Sequence, residues 1–241
     1  WWAIDNVEVA EGNIQPIIGL VAGEDFDGLV LGSSVDEEVA RDNVWTKTGP
    51  EGWTIDDTGV PGVGDPDQDG VTEWAGWSFA NKDWWVETAG DQNRSQFTKG
   101  VGTIAIADGD EWDDQPHAEG FVDTFLSWPV DVSGSPARTL SLHFDSSWRP
   151  EFDDNYHQTA LVTVSYDGGD SVEVMRWESD SASPNYKPDS TNDSVVVPLG
   201  NPEGASSMVV TFGYVDAGND WWWAIDNVMV IEGAVQQPTS S

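Results

Sequence analysis

Carboxylates at regular spacing in residues 65–73 offer the sharpest chemistry in the chain. Acidic residues occupy the first, third and fifth positions of this stretch, and Gly70 takes the sixth. This is the spacing of the first half of an EF-hand-type loop, in which carboxylate and carbonyl oxygens ligate Ca²⁺. Gly76 stands where such a loop carries its bidentate Glu, so water or a distant acid would complete the site; the alternative is an acidic loop that only faces water. The predicted calcium ligands are Asp65, Asp67, Asp69, Val71 and Glu73.

Tryptophan is the second source of candidate chemistry, because the chain carries 15 of them. This is more indole than one sandwich core usually takes, so some rings could form an exposed platform that stacks on sugar rings, with acids nearby for the hydroxyls. The alternatives are indoles that pack between repeats or cover a loop-rich side of the fold. The predicted sugar-binding residues are Trp84, Trp85, Trp112, Asp110 and Asp113.

The residues that usually carry catalysis form no recognisable set. Paired carboxylates can serve as the acid and base of a glycosidase, but no spacing selects one pair among 44 acidic residues. The three histidines stand in no zinc-binding pattern, and the chain has no Cys and no Gly-x-Ser-x-Gly. The sequence therefore predicts a protein that is not an enzyme, and a polysaccharide-active enzyme is the least favoured alternative.

The two ends of the chain repeat one another. Residues 1–9 read WWAIDNVEV, residues 222–230 read WWAIDNVMV, and Trp1 aligns with Trp222 at an offset of 221 residues. A tandem array cut one strand upstream of a repeat boundary would give this echo. The predicted domains are the last strand of a preceding repeat (1–9), a linker (10–22), one repeat (23–232) and a C-terminal linker (233–241).

The echo also indicates which residues of the last strand face the core. Glu8 stands where the second copy has Met229, so this position tolerates charge and faces water, and Val228 then faces inward. Strict alternation places Asp226 on the same buried side, where a carboxylate needs a partner. Lys and Arg number only 9, so a bound cation is one candidate. Backbone N–H groups at a strand end or bulge are the other.

Regular strand patterns dominate the second half of the chain. A short helix is predicted only at residues 81–90, where Asn81 or Asp83 can cap it and Gly90 can end it. Regular strands with turn signals predict an all-β fold, an antiparallel β-sandwich (jelly roll) with long loops and one short helix. The strands after Pro136 are predicted at 138–148, 158–166, 171–177, 194–199, 207–215 and 221–231.

The net charge of −35 limits which kinds of molecule the chain can bind. Nucleic acids and anionic membrane surfaces are polyanions and would be repelled, so neither is expected as a partner. No apolar run is long enough to span a bilayer, so direct membrane insertion is not expected either. A Cys-free, Asp- and Gly-rich β domain suits the extracellular space or cell surface, where calcium is abundant.

The second half also resembles a known family. The pattern Val162–Gly169, the stretch Val210–Tyr214 and the run Asn219–Val228 are similar to those of MAM-like and cleaved-adhesin-type jelly rolls of secreted bacterial proteins, including marine surface proteins. The opening Glu24–Gly28 fits the same pattern. The resemblance covers most of residues 24–231 and implies the jelly-roll fold. Because such modules are attached to hydrolases, adhesins and fibres alike, it implies little about function.

The resemblance further implies calcium near the junction of the first and last strands, which corresponds here to Glu24, Asp25 or Asp27 together with Asp226. We therefore expect a non-catalytic, extracellular, calcium-binding repeat for adhesion or scaffolding. Its expected partner is a glycan or neighbouring repeats of the same protein. The alternative is a structural repeat that stacks or polymerises into a surface fibre.

Overall fold

The computed structural model describes residues 19–152 and 157–233. These residues form two antiparallel sheets joined by long loops. The strands are β1 Leu20–Glu24, β2 Trp45–Thr46, β3 Thr54–Gly59, β4 Ser78–Asn81, β5 Thr103–Asp108, β6 Val122–Asp131, β7 Leu140–Trp148, β8 Thr159–Tyr166, β9 Val172–Glu178, β10 Ser190–Pro198, β11 Ser207–Ala217 and β12 Trp222–Glu232. The helices are α1 Lys82–Thr88 and α2 Gly109–Trp112, with 3-10 turns at Thr72–Trp74 and Arg94–Gln96.

Strand β12 is the centre of the larger sheet. That sheet runs β10-β7-β12-β5-β4-β2, and β1 also pairs with β12; the smaller sheet runs β3-β6-β11-β8-β9. One edge of β12 pairs with β7, while the other edge pairs with β5 along its first half and with β1 along its second half. The predicted antiparallel β-sandwich of the jelly-roll type is confirmed.

The core between the two sheets is built around Trp223. Its ring lies 5.9 Å from Phe212 and 6.2 Å from Trp177, both in the smaller sheet, and 6.3 Å from Phe144 in the larger one. These rings are in the tilted and edge-on geometries that aromatic pairs prefer. Because side chains alternate along a strand, Trp222 points to the opposite face of the larger sheet.

That opposite face carries a second apolar layer, covered by α1 and the loops around it. Trp85 of α1 packs edge-on against Trp222 at 5.7 Å, and Trp84 stacks on Trp74 at 5.7 Å. All four rings are buried. The abundance of tryptophan is therefore explained by two apolar layers on either side of one sheet.

Indole N–H groups donate hydrogen bonds to the covering loops and hold them against these layers. Each bond satisfies a donor that burial would otherwise leave without a partner, and such bonds contribute about 0.5–1.5 kcal/mol each. Four of them end on backbone carbonyl oxygens: Trp45 to Glu73 at 3.0 Å, Trp84 to Val39 at 2.8 Å, Trp112 to Asp69 at 2.8 Å and Trp148 to Lys187 at 3.1 Å.

The predicted helix is confirmed as α1, whose first turn is capped by the Asn81 side chain accepting from the N–H of Trp84. The helix α2 was not predicted, because four residues carry too little periodicity to be seen. The predicted linker 10–22 is wrong at its end, since residues 20–22 belong to β1. The predicted strand at 1–9 lies outside the described residues. No helix in the described ranges is long and apolar enough to cross a bilayer.

A β-bulge at Asn227 overturns the predicted direction of Asp226. Asn227 has a φ of 52°, and the pairing of β12 with β7 slips by one residue at this point. Asp226 pairs with Asp145, whose neighbour Phe144 faces the core, so Asp226 lies on the outer face while Val228 points inward. It is nevertheless buried, because the covering loops lie over it.

Replacing Asn227 with alanine is expected to destabilise the fold by about 2 kcal/mol, through left-handed backbone strain and two lost hydrogen bonds. Those bonds run from the Asn227 amide to Asp145 at 3.1 Å and to the Lys99 carbonyl at 3.2 Å. Asn227→Gly removes the bonds without the strain and should cost about half as much. Urea unfolding of both variants measures the difference; equal losses would show that the backbone angle is unimportant.

Candidate functional site

Three carboxylates lie near enough to affect one another's charge where the first and last strands of the larger sheet run side by side: Asp27, Asp145 and Asp226. Asp226 accepts hydrogen bonds from the backbone N–H of Val101 at 3.0 Å and of Asn227 at 2.7 Å. The sequence analysis left two partners open for Asp226, a bound cation or backbone N–H groups at a strand end or bulge. The backbone N–H groups are present. Burial, with a smaller contribution from the carboxylates of Asp27 and Asp145, raises the pKa of Asp226 to about 7, although the two backbone hydrogen bonds oppose the shift.

The carboxylate of Asp27 lies close against the backbone of Gly102, beside this cluster. Its carboxylate accepts from the N–H of Thr103 at 2.8 Å, and a Cβ on Gly102 would come within 2.0 Å of its oxygen. The predicted neighbours Glu24 and Asp25 are turned elsewhere: they accept from the N–H groups two residues ahead of them. The structure thus brings together the predicted Asp27 and Asp226. It adds Asp145, which the sequence does not reveal because its contact depends on strand register.

An open groove lies beside this carboxylate cluster. It has a volume of about 670 Å³. We call it the strand-end groove; its lining is Leu20, Gly23, Glu24, Asp25, Asp145, Asn227 and Met229. Carboxylate and amide groups stand there beside two apolar side chains, and one of these, Leu20, is 48% exposed.

The donor chemistry of Asp27, Asp145 and Asp226 suits Ca²⁺, which prefers carboxylate oxygens. The charged neighbours that raise the pKa of Asp226 are both carboxylates, so a cation would relieve a repulsion that is present in the fold. Among the described residues, however, no group of three or more His, Cys, Asp or Glu side chains is arranged to hold a metal ion. Calcium at this cluster stays a prediction.

The acidic loop 65–73 only partly follows the calcium-loop pattern. Asp65 and Asp67 are exposed, and burial raises the pKa of Asp69, with the carboxylates of Asp36 and Asp65 adding to the effect. Asp65 accepts from the N–H of Asp67 at 3.2 Å. Of these three predicted ligands, Asp65 and Asp67 face water and Asp69 is half-buried.

The remaining two predicted ligands of that loop have other partners. Val71 is buried, and its carbonyl accepts from the N–H of Trp74 as the chain enters a 3-10 turn. Glu73 is fully buried, and its carboxylate accepts from the backbone N–H groups of Val35 and Asp36. The turn therefore commits Glu73 to holding the loop at 35–36, which corrects its predicted role as a metal ligand.

The predicted sugar platform is wrong. Trp84, Trp85 and Trp112 are all 0% exposed, so none presents a face on which a sugar could stack. Their rings belong to the second apolar layer, which composition alone could not distinguish from a surface platform.

Asp110 lies by a buried arginine that the sequence motifs did not reveal, whereas the charged neighbours of Asp113 are His117, Asp114 and Asp110. Arg94 is 0% exposed and bonds both oxygens of Asp108, at 3.0 and 3.1 Å. Its Nη2 also lies 2.9 Å from Asp110 and 3.0 Å from Glu111. The sequence does carry one signal for Arg94. Basic residues are rare in this chain, and Arg94 precedes a dense run of acidic residues that would need a cation.

Carboxylates outnumber the single guanidinium in this buried arginine cluster, and the pKa values reflect it. Burial and then Asp108 raise the pKa of Glu111, and burial raises the pKa of Asp110. Burial also raises the pKa of Asp113 to about 6, although His117 opposes the shift. A proton held by Glu111 balances much of the charge, so the cluster serves to join α2 to the sheet.

No protein-family model matches the chain, and no curated protein matches its sequence. Among solved structures, the chain is similar to a carbohydrate-binding module, TmCBM61, in complex with β-1,4-galactotriose (14% identity, 76% of this chain, 89% of that chain, TM-score 0.42). It is also similar to the C-terminal family 22 carbohydrate-binding module of Clostridium thermocellum Xyn10B (11% identity, 91% and 97%, TM-score 0.42). A cyclase from Fischerella sp. TAU has 12% identity over 85% of this chain and 99% of that one, with a TM-score of 0.44. The resemblance is distant, so function is argued from this chain's own side chains.

Proposed function

We propose that this chain is a non-catalytic, calcium-binding jelly-roll domain that binds glycans in the strand-end groove. Adhesion or scaffolding outside the cell is the role that such a domain would serve. The observation that carries the proposal is the mixed lining of the groove. Asp25, Asp145 and Asn227 stand there beside the apolar Leu20 and Met229.

This lining suits the two kinds of surface on a sugar. Carboxylate and amide groups form hydrogen bonds with ring hydroxyls, while the C–H face of the ring packs on apolar side chains. A volume of about 670 Å³ accommodates a small oligosaccharide segment. The net charge of −35 repels acidic glycans, so the expected ligand is a neutral one.

Calcium would act beside the groove, at Asp27, Asp145 and Asp226. Asp145 belongs to both the carboxylate cluster and the groove lining, so an ion held there would also fix one wall of the groove. The MAM-like and cleaved-adhesin-type resemblance agrees with this position for the ion and stays a prediction.

Replacing Asp25 with asparagine is expected to weaken glycan binding about tenfold, because a charge-assisted hydrogen bond to a hydroxyl becomes a neutral one. Affinity electrophoresis in gels containing neutral polysaccharides measures the retention of the protein. The matched control is Asp170→Asn, an exposed acid in the turn between β8 and β9 and distant from the groove.

Equal loss of retention in the two variants would place binding away from the groove. Absence of retention for the unaltered protein, across neutral polysaccharides and with calcium present, would reject glycan binding itself.

A further inference from the structure

The outer face of the smaller sheet is poor in charge. Side chains alternate along each strand, and Leu126, Phe212 and Val162 are buried in the core, so their neighbours form this face. The strand residues in its middle, where β6, β11 and β8 run side by side, are all uncharged, although the chain has 44 acidic residues. They form three rows across the sheet, one of hydroxyl groups and two that are largely apolar.

The row of hydroxyl groups crosses four strands. Thr54, Ser127, Thr211 and Thr163 pair in turn across β3, β6, β11 and β8. The hydroxyl oxygens of Ser127 and Thr211 lie 2.8 Å apart. Thr54 is exposed, and the other three residues are half-buried. Because a hydroxyl group both donates and accepts hydrogen bonds, an identical row can satisfy this one.

Apolar side chains lie on both sides of that row. On one side, a Cβ at Gly213 would come within 2.9 Å of Leu161 and 3.0 Å of Phe125, so these two side chains close over the glycine. On the other side, Pro129 and Val209 pair with one another and are exposed. The centre of the face therefore combines apolar side chains with hydroxyl groups.

Charged side chains stand at the margin of this face. Asp123 and Asp131 lie at the two ends of its β6 part, and Asp56 lies on the edge strand β3. On the opposite edge strand, β9, Glu173 and Arg176 neutralise each other in a pair at 2.7 Å. A centre depleted of charge and surrounded by a charged rim is the composition of a protein–protein interface.

We propose that this outer face is an interface for a second copy of the same fold. Two chains that each carry a net charge of −35 repel one another, and a face without charge is where they repel least. Identical faces also match each other, because hydroxyl rows can pair and apolar rows can interdigitate, as they do between sheets packed about 10 Å apart. The repeated phrase in the sequence predicts tandem copies of this fold, and tandem copies keep a second face at high local concentration.

The size of the face indicates a weak contact. With strands about 4.8 Å apart and a rise of about 3.4 Å per residue, the face measures about 650 Å². Two copies would then bury about 1,300 Å² in total, at the lower end of the range for specific interfaces. The strand-end groove lies on the larger sheet, so this contact does not depend on glycan binding there.

Sedimentation velocity of the full chain in about 0.05 M and about 1 M NaCl tests the proposal, because salt screens the repulsion between two polyanions. The chain is expected to self-associate, and more tightly in high salt. Val209→Glu and Thr211→Glu each place a charge in the centre of the face and should weaken the association at least about tenfold. The matched control is Val196→Glu, which adds the same charge at a 49% exposed position of β10 in the larger sheet and should leave the association unchanged.

Thermal unfolding followed by circular dichroism shows that each variant is folded, and the exposed Val209 provides the test if Thr211→Glu disrupts the sheet. A chain that stays monomeric at about 1 mM in high salt would overturn the proposal, because a dimer with a Kd of about 1 mM or tighter would be populated there. An association abolished by Val196→Glu and kept by Val209→Glu would move the contact to the larger sheet and overturn it too. If Val209→Glu removed the retention of a monomeric chain by neutral polysaccharides, this face would be a glycan site instead.

Discussion

Arg94→Ala is expected to destabilise the folded domain by about 3–5 kcal/mol, which lowers Tm by roughly 6–20 °C. The reason is that the carboxylate of Asp108 stays buried after its cation has gone, and Glu111 loses its partner as well. The guanidinium also lies over the ring of Trp222 at 4.3 Å, so its loss opens the second apolar layer. Calorimetric unfolding of the variant measures the loss.

Arg41→Ala is the matched control for this prediction. Arg41 pairs with Glu87 at 2.6 Å, but both side chains are largely exposed, and such pairs contribute less than about 1 kcal/mol. If Arg94→Ala destabilised the domain no more than Arg41→Ala, the buried arginine cluster would have no role in holding α2 against the sheet.

In calcium-free buffer, the stability of the domain is expected to fall as the pH rises from about 4 to about 7, with Asp226 contributing about 4 kcal/mol of the change. Folded Asp226 keeps its proton up to a pKa of about 7, whereas an Asp in the unfolded chain releases it near 3.8. The folded state therefore binds the extra proton in this window. Its stabilisation is complete below pH 4 and is lost as the pH rises through 7. Denaturant unfolding at several pH values measures the slope.

Calcium should offset more than half of this loss, because it binds the ionised carboxylate. At about 100 times its Kd, a ligand of the folded state alone adds about 2.7 kcal/mol, and a chelator should remove that gain. Asp226→Asn should lose both the pH slope and the response to calcium, while Asp131→Asn, an exposed acid, should keep both. A calcium response that survives Asp226→Asn would move the ion to another site, such as the loop at 65–69.

The strands of the second half could be predicted because their signals are local. Strand β8 was expected at 158–166 and is observed at Thr159–Tyr166. The turn after it has Asp167 and Gly168 at positive φ, as a tight hairpin requires. Both signals, the alternation of apolar and polar side chains and the residue types of the turn, come from a few neighbouring residues.

The carboxylate site was only partly predictable because it depends on register. The bulge at Asn227 reverses the face of every residue before it, and a single Asn inside a strand pattern does not show which way the register slips. Asp145 joins Asp226 only through that pairing. Likewise, an indole in a platform and an indole under a loop read alike in sequence, so Trp84, Trp85 and Trp112 were assigned to the wrong surface.

The hydrogen bonds from indole N–H groups to the covering loops affect which substitutions this domain can accept during evolution. The indoles of Trp45, Trp84, Trp112 and Trp148 each bond a carbonyl of the main chain. Every amino acid supplies that oxygen, whatever its side chain. Substitutions at Val39, Asp69 and Lys187 therefore keep the hydrogen bond, so these loops can change their side chains while the tryptophans hold the main chain in place; Glu73 is the exception, because its buried carboxylate also holds residues 35–36.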